Sequence, residues 1–199
     1  MTFIQTIPQD QATGEILDLY RREQGGLDYL PNYAGVFCHR PQVMQAWADL
    51  QRALRQHLDA RSFGLVTLAS ALALGSSYCS LAHAKKLIQK FYTEREMIAI
   101  VADESDSPLS YADRAMMSFA AKVVGDAPAV TQADINRLRE AGFSDAGIFD
   151  IVAAAAGRCF FARIPDALGA RPDASLGCMD QTLLGLLTVG RPLGEEEHK

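Results

Sequence analysis

Residues 59–75, DARSFGLVTLASALALG, constrain the fold more than any other stretch, because from Phe63 to Leu74 the segment is apolar almost all the way round. A helix with one apolar stripe lies on a surface, whereas a helix apolar on every side must be enclosed by other elements. The rest of the chain therefore has to wrap a central helix. Alternating strand patterns with hairpin turns are nearly absent, and helical spacings recur, so the wrapping elements are expected to be helices and the fold class all-α.

The flanking segments supply them. Ile16, Leu17, Leu19 and Tyr20 sit among polar positions in residues 9–24, which stop at Gly25 and Gly26, a helix with a glycine stop. A short helix follows at about 31–38. Beyond Pro41, whose ring suits a first turn, Val43, Met44, Trp47, Leu50 and Leu54 recur at helical spacing to about residue 57. Gly75 is placed to end or bend the central helix, and a further helix is expected from SSYC to about Phe91. Thr93 with Glu96 reads as a capping box, and Ser110 and Thr131 are N-cap candidates for two later helices. A long helical segment from Ser144 to Gly169 and a last helix near 176–188 complete the series.

Setting Gly64 over Gly147 aligns GLVTLASALALGSSYCSLAHA with GIFDIVAAAAGRCFFARIPDA without gaps, pairing Ser76 with Cys159 and His83 with Asp166. Chance and a duplicated helical hairpin both account for this. The chain is read as one domain over 1–199, with N-terminal helices in 1–58, a core in 59–190 and a flexible tail in 191–199.

Composition closes off several functions. At 199 residues the chain suffices for one well-buried core, and 49% hydrophobic with 22% charged residues is globular usage. Net charge is -5 with acidic and basic residues interleaved, so no basic stripe exists to neutralise a phosphate backbone and nucleic acid is not an expected partner. No apolar run approaches the ~20 residues that span a bilayer, and no basic-then-apolar leader opens the chain; a cytoplasmic protein without membrane contact is expected. Cys38, Cys79, Cys159 and Cys178 lie far apart with no CxxC pair, so neither a disulfide framework nor a zinc knuckle is expected, and no metal or cofactor is assigned.

Chemistry concentrates in GSSYCSLAH, residues 75–83. Cys79 and His83 are four apart and share one helix face, so a thiol can acquire a local base. With the helix starting at Ser76 or Ser77, Cys79 also falls in the first turn, where free N–H groups favour a thiolate. The plain alternative is a buried cysteine acting as a small hydrophobe, with Ser76 as an ordinary N-cap. Tyr78 offers a hydroxyl beside the site. Cys38 adjoins His39, but neighbours in a helix do not face each other, and Cys159 and Cys178 default to the core.

LDARSFGLVTLASALALGSSYCSLAHAKKL resembles the core of the alkylhydroperoxidase D and carboxymuconolactone decarboxylase superfamily. LPNYAGVFCHRPQVMQAWADLQRAL resembles the N-terminal helices of its peroxidase-related branch, and FAAKVVGDAPAVTQADINRLREAGFSDAGIFDIV with FFARIPDALGA its C-terminal half. The likeness runs over about residues 28–171 and implies a multi-helical alkylhydroperoxidase D-like fold. It also implies that Cys79 is the thiol that meets peroxide and His83 the relay histidine. The family's first cysteine falls on Ser76, and its proton-relay glutamate, twelve residues earlier, falls on Gly64.

With Ser76 in place of a thiol, internal disulfide resolution at this site is excluded. A sulfenic acid on Cys79 needs an external thiol reductant, or Cys38, Cys159 or Cys178 brought close by the fold. Glu94, Glu96 or a residue of another subunit are candidates to replace the missing carboxylate. The resemblance therefore implies a peroxidase-like oxidoreductase, antioxidant in type, that reduces hydroperoxides with the single thiol of Cys79. A lyase or small organic-acid binder on the same scaffold, or a member without turnover, stays open. Homo-oligomers (dimer, trimer or hexamer) are implied by the resemblance alone; Tyr29, Tyr33, Phe37 and Trp47 suit an interface or a monomer core equally.

Overall fold

The computed structural model describes residues 2–194. Among them are ten α-helices and no strands: α1 (Gly14–Gln24), α2 (Asn32–Val36), α3 (Pro41–Leu54), α4 (Ala60–Ala73), α5 (Ser77–Lys90), α6 (Glu94–Val101), α7 (Tyr111–Asp126), α8 (Gln132–Glu140), α9 (Asp145–Ala167) and α10 (Gln181–Leu187). The fold is all-α, as the periodicities require. None of the described helices is long and apolar enough to cross a membrane.

The central helix is α4, packed by α5, α7 and α9. Eight of its residues are buried in an unbroken run apart from Gly64, from Phe63 to Ala71, which is why its sequence shows no polar face. Asp59 caps it by accepting from the backbone N–H groups of Arg61 and Ser62. It is tied to α7 by Arg61, whose two Nη atoms donate to the two carboxylate oxygens of Asp113 at 2.9 and 2.7 Å. Asp113 also closes a capping box with Ser110, and Thr93 with Glu96 forms another at the start of α6. The N-terminal helices are built onto this core through α3, whose Trp47 is 2% exposed and stacks on Phe161 of α9 at 5.5 Å. Phe37 stacks on the same ring at 5.9 Å, so both aromatics serve the monomer's own core.

Gly75, at φ +68°, turns the chain between α4 and α5, a conformation in which glycine carries no steric penalty. The duplicated hairpin that the alignment left open beside chance is not there. In the aligned position α9 has Arg158 where α4–α5 has Gly75, and α9 runs unbroken through it for 23 residues; without a residue suited to positive φ the second copy has no turn.

The C-terminal segment crosses the start of α5. Ser80 Oγ donates to Leu187 O, Gly190 N–H donates to Ser77 Oγ at 2.7 Å, and Arg191 donates to Asp166 O. A Cβ at residue 190 would collide with the carbonyl oxygen of Gly75, so glycine permits this close crossing. The tail expected to be flexible from residue 191 is therefore docked through Gly194, whose N–H reaches Pro172 O; residues 195–199 lie outside the described residues.

Candidate functional site

Cys79 occupies the first turn of α5, whose N-cap is Ser76. It is 3% exposed, in apolar contact with Ala71 and Leu74 of the α4 end and with Phe161 and Ala162 of α9. One polar group reaches it across this packing: Arg158 Nη1 donates to Cys79 Sγ at 3.6 Å. Arg158 is itself 3% exposed, and its guanidinium carbon lies 5.6 Å from the Trp47 ring centre and 5.4 Å from that of Phe161.

His83 lies one turn further along the same face of α5 and is also buried. It does not hydrogen-bond Cys79. Its Nδ1 pairs instead with Thr67 Oγ1 of α4 at 3.1 Å. The Thr67 hydroxyl also reaches Phe63 O at 2.8 Å and Gly64 O at 3.0 Å. With its single proton given to those helix carbonyls it offers His83 a lone pair, so Nδ1 carries hydrogen and Nε2 is left as the basic nitrogen. Burial holds the imidazole well below its ordinary pKa, and the positive charges of Arg158, Lys86 and Arg55 push it the same way. His83 is therefore a neutral base at physiological pH.

Lys86 and Arg55 are on the solvent side of this cluster. Protein packed around the Lys86 ammonium lowers its pKa, and so do Arg55 and Arg158; Arg55 is lowered by burial and by Arg158. Arg55 lies over the Phe63 ring at 4.7 Å. The site is thus a buried thiol and imidazole beside a buried guanidinium, with two further cations at the surface.

Gly64, aligned with the missing carboxylate, has a packing role. A Cβ there would come within 2.6 Å of Leu87 Cδ2, so Leu87 of α5 fills the space a side chain at 64 would enter. Neither proposed acid takes over: Glu96 is consumed in its capping box, and Glu94 accepts from Asp180 N–H. Thr67, three residues on, holds the histidine instead.

Several sequence expectations are corrected by this geometry. Ser76 makes no side-chain cap bond, and its fully buried Oγ has no hydrogen-bond partner among the described residues. Tyr78 points away from Cys79; its hydroxyl donates to Asp173 at 2.7 Å and accepts from Tyr33 N–H at 3.1 Å, as the ~100° step between consecutive helical residues requires. Cys178 is exposed and Cys159 half-buried, while Cys38 is buried in a different part of the core from Cys79. Arg158, Thr67, Lys86 and Arg55 were not singled out from the sequence. Arg158 had a signal, a lone arginine inside the apolar run IVAAAAGRCFF, since an arginine in an otherwise buried face needs a reason to be there.

Residues 41–106 match the carboxymuconolactone decarboxylase family, a span that holds Cys79, His83, Thr67, Lys86 and Arg55 and leaves out Arg158. No curated protein matches significantly. Among solved structures, an alkylhydroperoxidase AhpD core, peroxidase-related protein of Ralstonia eutropha, is similar with TM-score 0.75 and 24% identity, over 89% of this chain and 95% of that one. A peroxidase-related protein of Silicibacter is similar at TM-score 0.72 and 20% identity, over 89% and 92%. A cysteine-to-alanine variant of the debrominase Bmp8, in complex with 2,3,4-tribromopyrrole, is similar at TM-score 0.73 and 18% identity, over 91% and 96%.

Proposed function

We propose that this chain is a single-thiol, peroxidase-like oxidoreductase acting through Cys79, a reading supported by the match of residues 41–106 to the carboxymuconolactone decarboxylase family and by the fold shared with an alkylhydroperoxidase AhpD core protein. The observation that carries this reading is the hydrogen bond from Arg158 to Cys79 Sγ between two side chains each 3% exposed. A buried guanidinium without a carboxylate is costly, and the Cys79 sulfur is the acceptor within its reach. The first turn of α5 adds its N-terminal dipole to the same end.

His83 Nε2 takes the Cys79 proton. The thiolate attacks the terminal oxygen of a hydroperoxide, forming an S–O bond as the O–O bond breaks. The leaving alkoxide recovers the proton from His83, and sulfur, oxidised by two electrons, becomes a sulfenic acid. Ser76 has no thiol to resolve it, so an external thiol condenses with the sulfenic acid to a mixed disulfide and water, and a second releases Cys79.

The test is to treat reduced protein with hydrogen peroxide and an organic hydroperoxide and to trap sulfenic acid by mass spectrometry. Cys79 is expected to be labelled in the native chain and to consume peroxide only when an external thiol is supplied; Cys79→Ser abolishes both. An unmodified Cys79 beside an oxidised Cys178 sinks the reading. The lyase alternative needs no cysteine pair, and a carboxylic-acid turnover unchanged in Cys79→Ser would favour it.

A further inference from the structure

A guanidinium carries five N–H donors, and Arg158 spends few of them. Among the described residues it makes one side-chain hydrogen bond, to Cys79 Sγ, and its buried Nε has no partner. None of the ion pairs among those residues includes Arg158, Arg55 or Lys86. The buried indole Nε1 of Trp47, whose ring lies against the Arg158 guanidinium, is also without a partner. Arg55 and Lys86 stand at the solvent side; Arg55 lowers the proton affinity of Lys86, and both lower that of His83. Two cations beside a buried, under-bonded guanidinium oppose folding unless something negative joins the three.

We propose that this cluster is an anion seat: a small organic carboxylate passes between Arg55 and Lys86 and settles on the unused donors of Arg158, with Trp47 and Phe161 against its apolar part. The proposal rests on the reading of Cys79 and Arg158 as the active site and names its substrate class, a hydroperoxide that also bears a carboxylate. Arg55 and Lys86 draw the acid in from solvent, and Arg158 fixes it beside the thiol.

Trp47 is the sole tryptophan, so its emission reports occupancy. Benzoate is titrated against benzamide, its uncharged counterpart of the same shape. Benzoate is expected to saturate at a concentration at least about tenfold lower, the worth of one charge-assisted hydrogen bond. The surface double variant Arg55→Gln/Lys86→Gln is expected to weaken benzoate about fivefold while leaving benzamide unchanged. Equal titrations of the two ligands, or a double variant that binds benzoate as tightly as the native chain, overturn the seat. Alkylation of Cys79 by iodoacetamide, followed on its peptide, separates this from the thiol chemistry. Rapid alkylation with equal titrations removes the seat alone; benzoate-selective quenching on a protein whose Cys79 stays unalkylated removes the thiol reading and keeps the seat.

Discussion

At the scale of single residues the site is governed by what burial does to charge. His83 stays neutral in the folded chain, because burial and then the nearby Arg158, Lys86 and Arg55 hold its pKa well below the ordinary 6.5. Unfolding frees it to bind a proton below about pH 6.5, so the unfolded state binds more protons there and stability rises with pH. The urea midpoint is therefore expected to fall between about pH 7.5 and about pH 5.5, and to fall less in His83→Gln. An equal decline in both would mean that other groups carry the pH dependence. Gly64→Glu, the change that restores the aligned carboxylate, is expected to destabilise by about 1–3 kcal/mol through overpacking, since its Cβ meets Leu87 Cδ2. Pairing it with Leu87→Ala opens the space, and denaturation of the two variants shows whether the second change recovers part of the loss. That Cys79 and His83 share one face of a helix was legible because it follows from their spacing alone. Arg158 was not, because its place in the site comes from the packing of α9 against α5, segments far apart in sequence, and Thr67 was not, because its contact depends on how the α4–α5 hairpin closes.

The elements were legible to different degrees for reasons that lie in their ends. Helices with side-chain caps, such as α6 at Thr93 and α7 at Ser110, start where the sequence says, since a capping box is a local contract between residues three apart. The α9 helix defeats the repeat reading because similar apolar composition says nothing about where a chain turns; one residue able to adopt positive φ decides it, and Arg158 is not such a residue. Among these elements the link of α4 to α7 rests on Asp113, which bonds both Arg61 and Ser110. Burial raises the Asp113 pKa, but the bonds from Arg61 and Ser110 outweigh it and hold the carboxyl below its ordinary value. Asp113→Ala is expected to cost about 2 kcal/mol, the sum of a lost cap and a partly exposed bidentate pair. Arg61→Gln, which spares the cap, should cost less. Chemical denaturation that finds the two alike would place the whole effect in the ion pair.

For the whole molecule, the all-α fold follows from one fully apolar helix that has to be surrounded, and the surrounding helices are those the periodicities mark. The homo-oligomer implied by the resemblance is carried forward as a proposal, supported by Phe149 and Phe160 of α9, which are 70% and 44% exposed. Light scattering is expected to give a mass above the 21.7 kDa of one chain, and Phe149→Glu to shift it towards that value; a monomer at micromolar concentration would refute the proposal. The C-terminal crossing over α5 has a temporal meaning as well. A ribosome delivers the chain from its N-terminus, so α3, α4 and α5 emerge well before Gly190 can lie across Gly75 and Ser77. Until α9 has followed, the nascent thiol of Cys79 lacks Arg158 and the cover of Phe161 and Ala162. The Cys79 sulfur is thus made early and enclosed late, and synthesis itself passes through a stage in which it is open to any oxidant nearby.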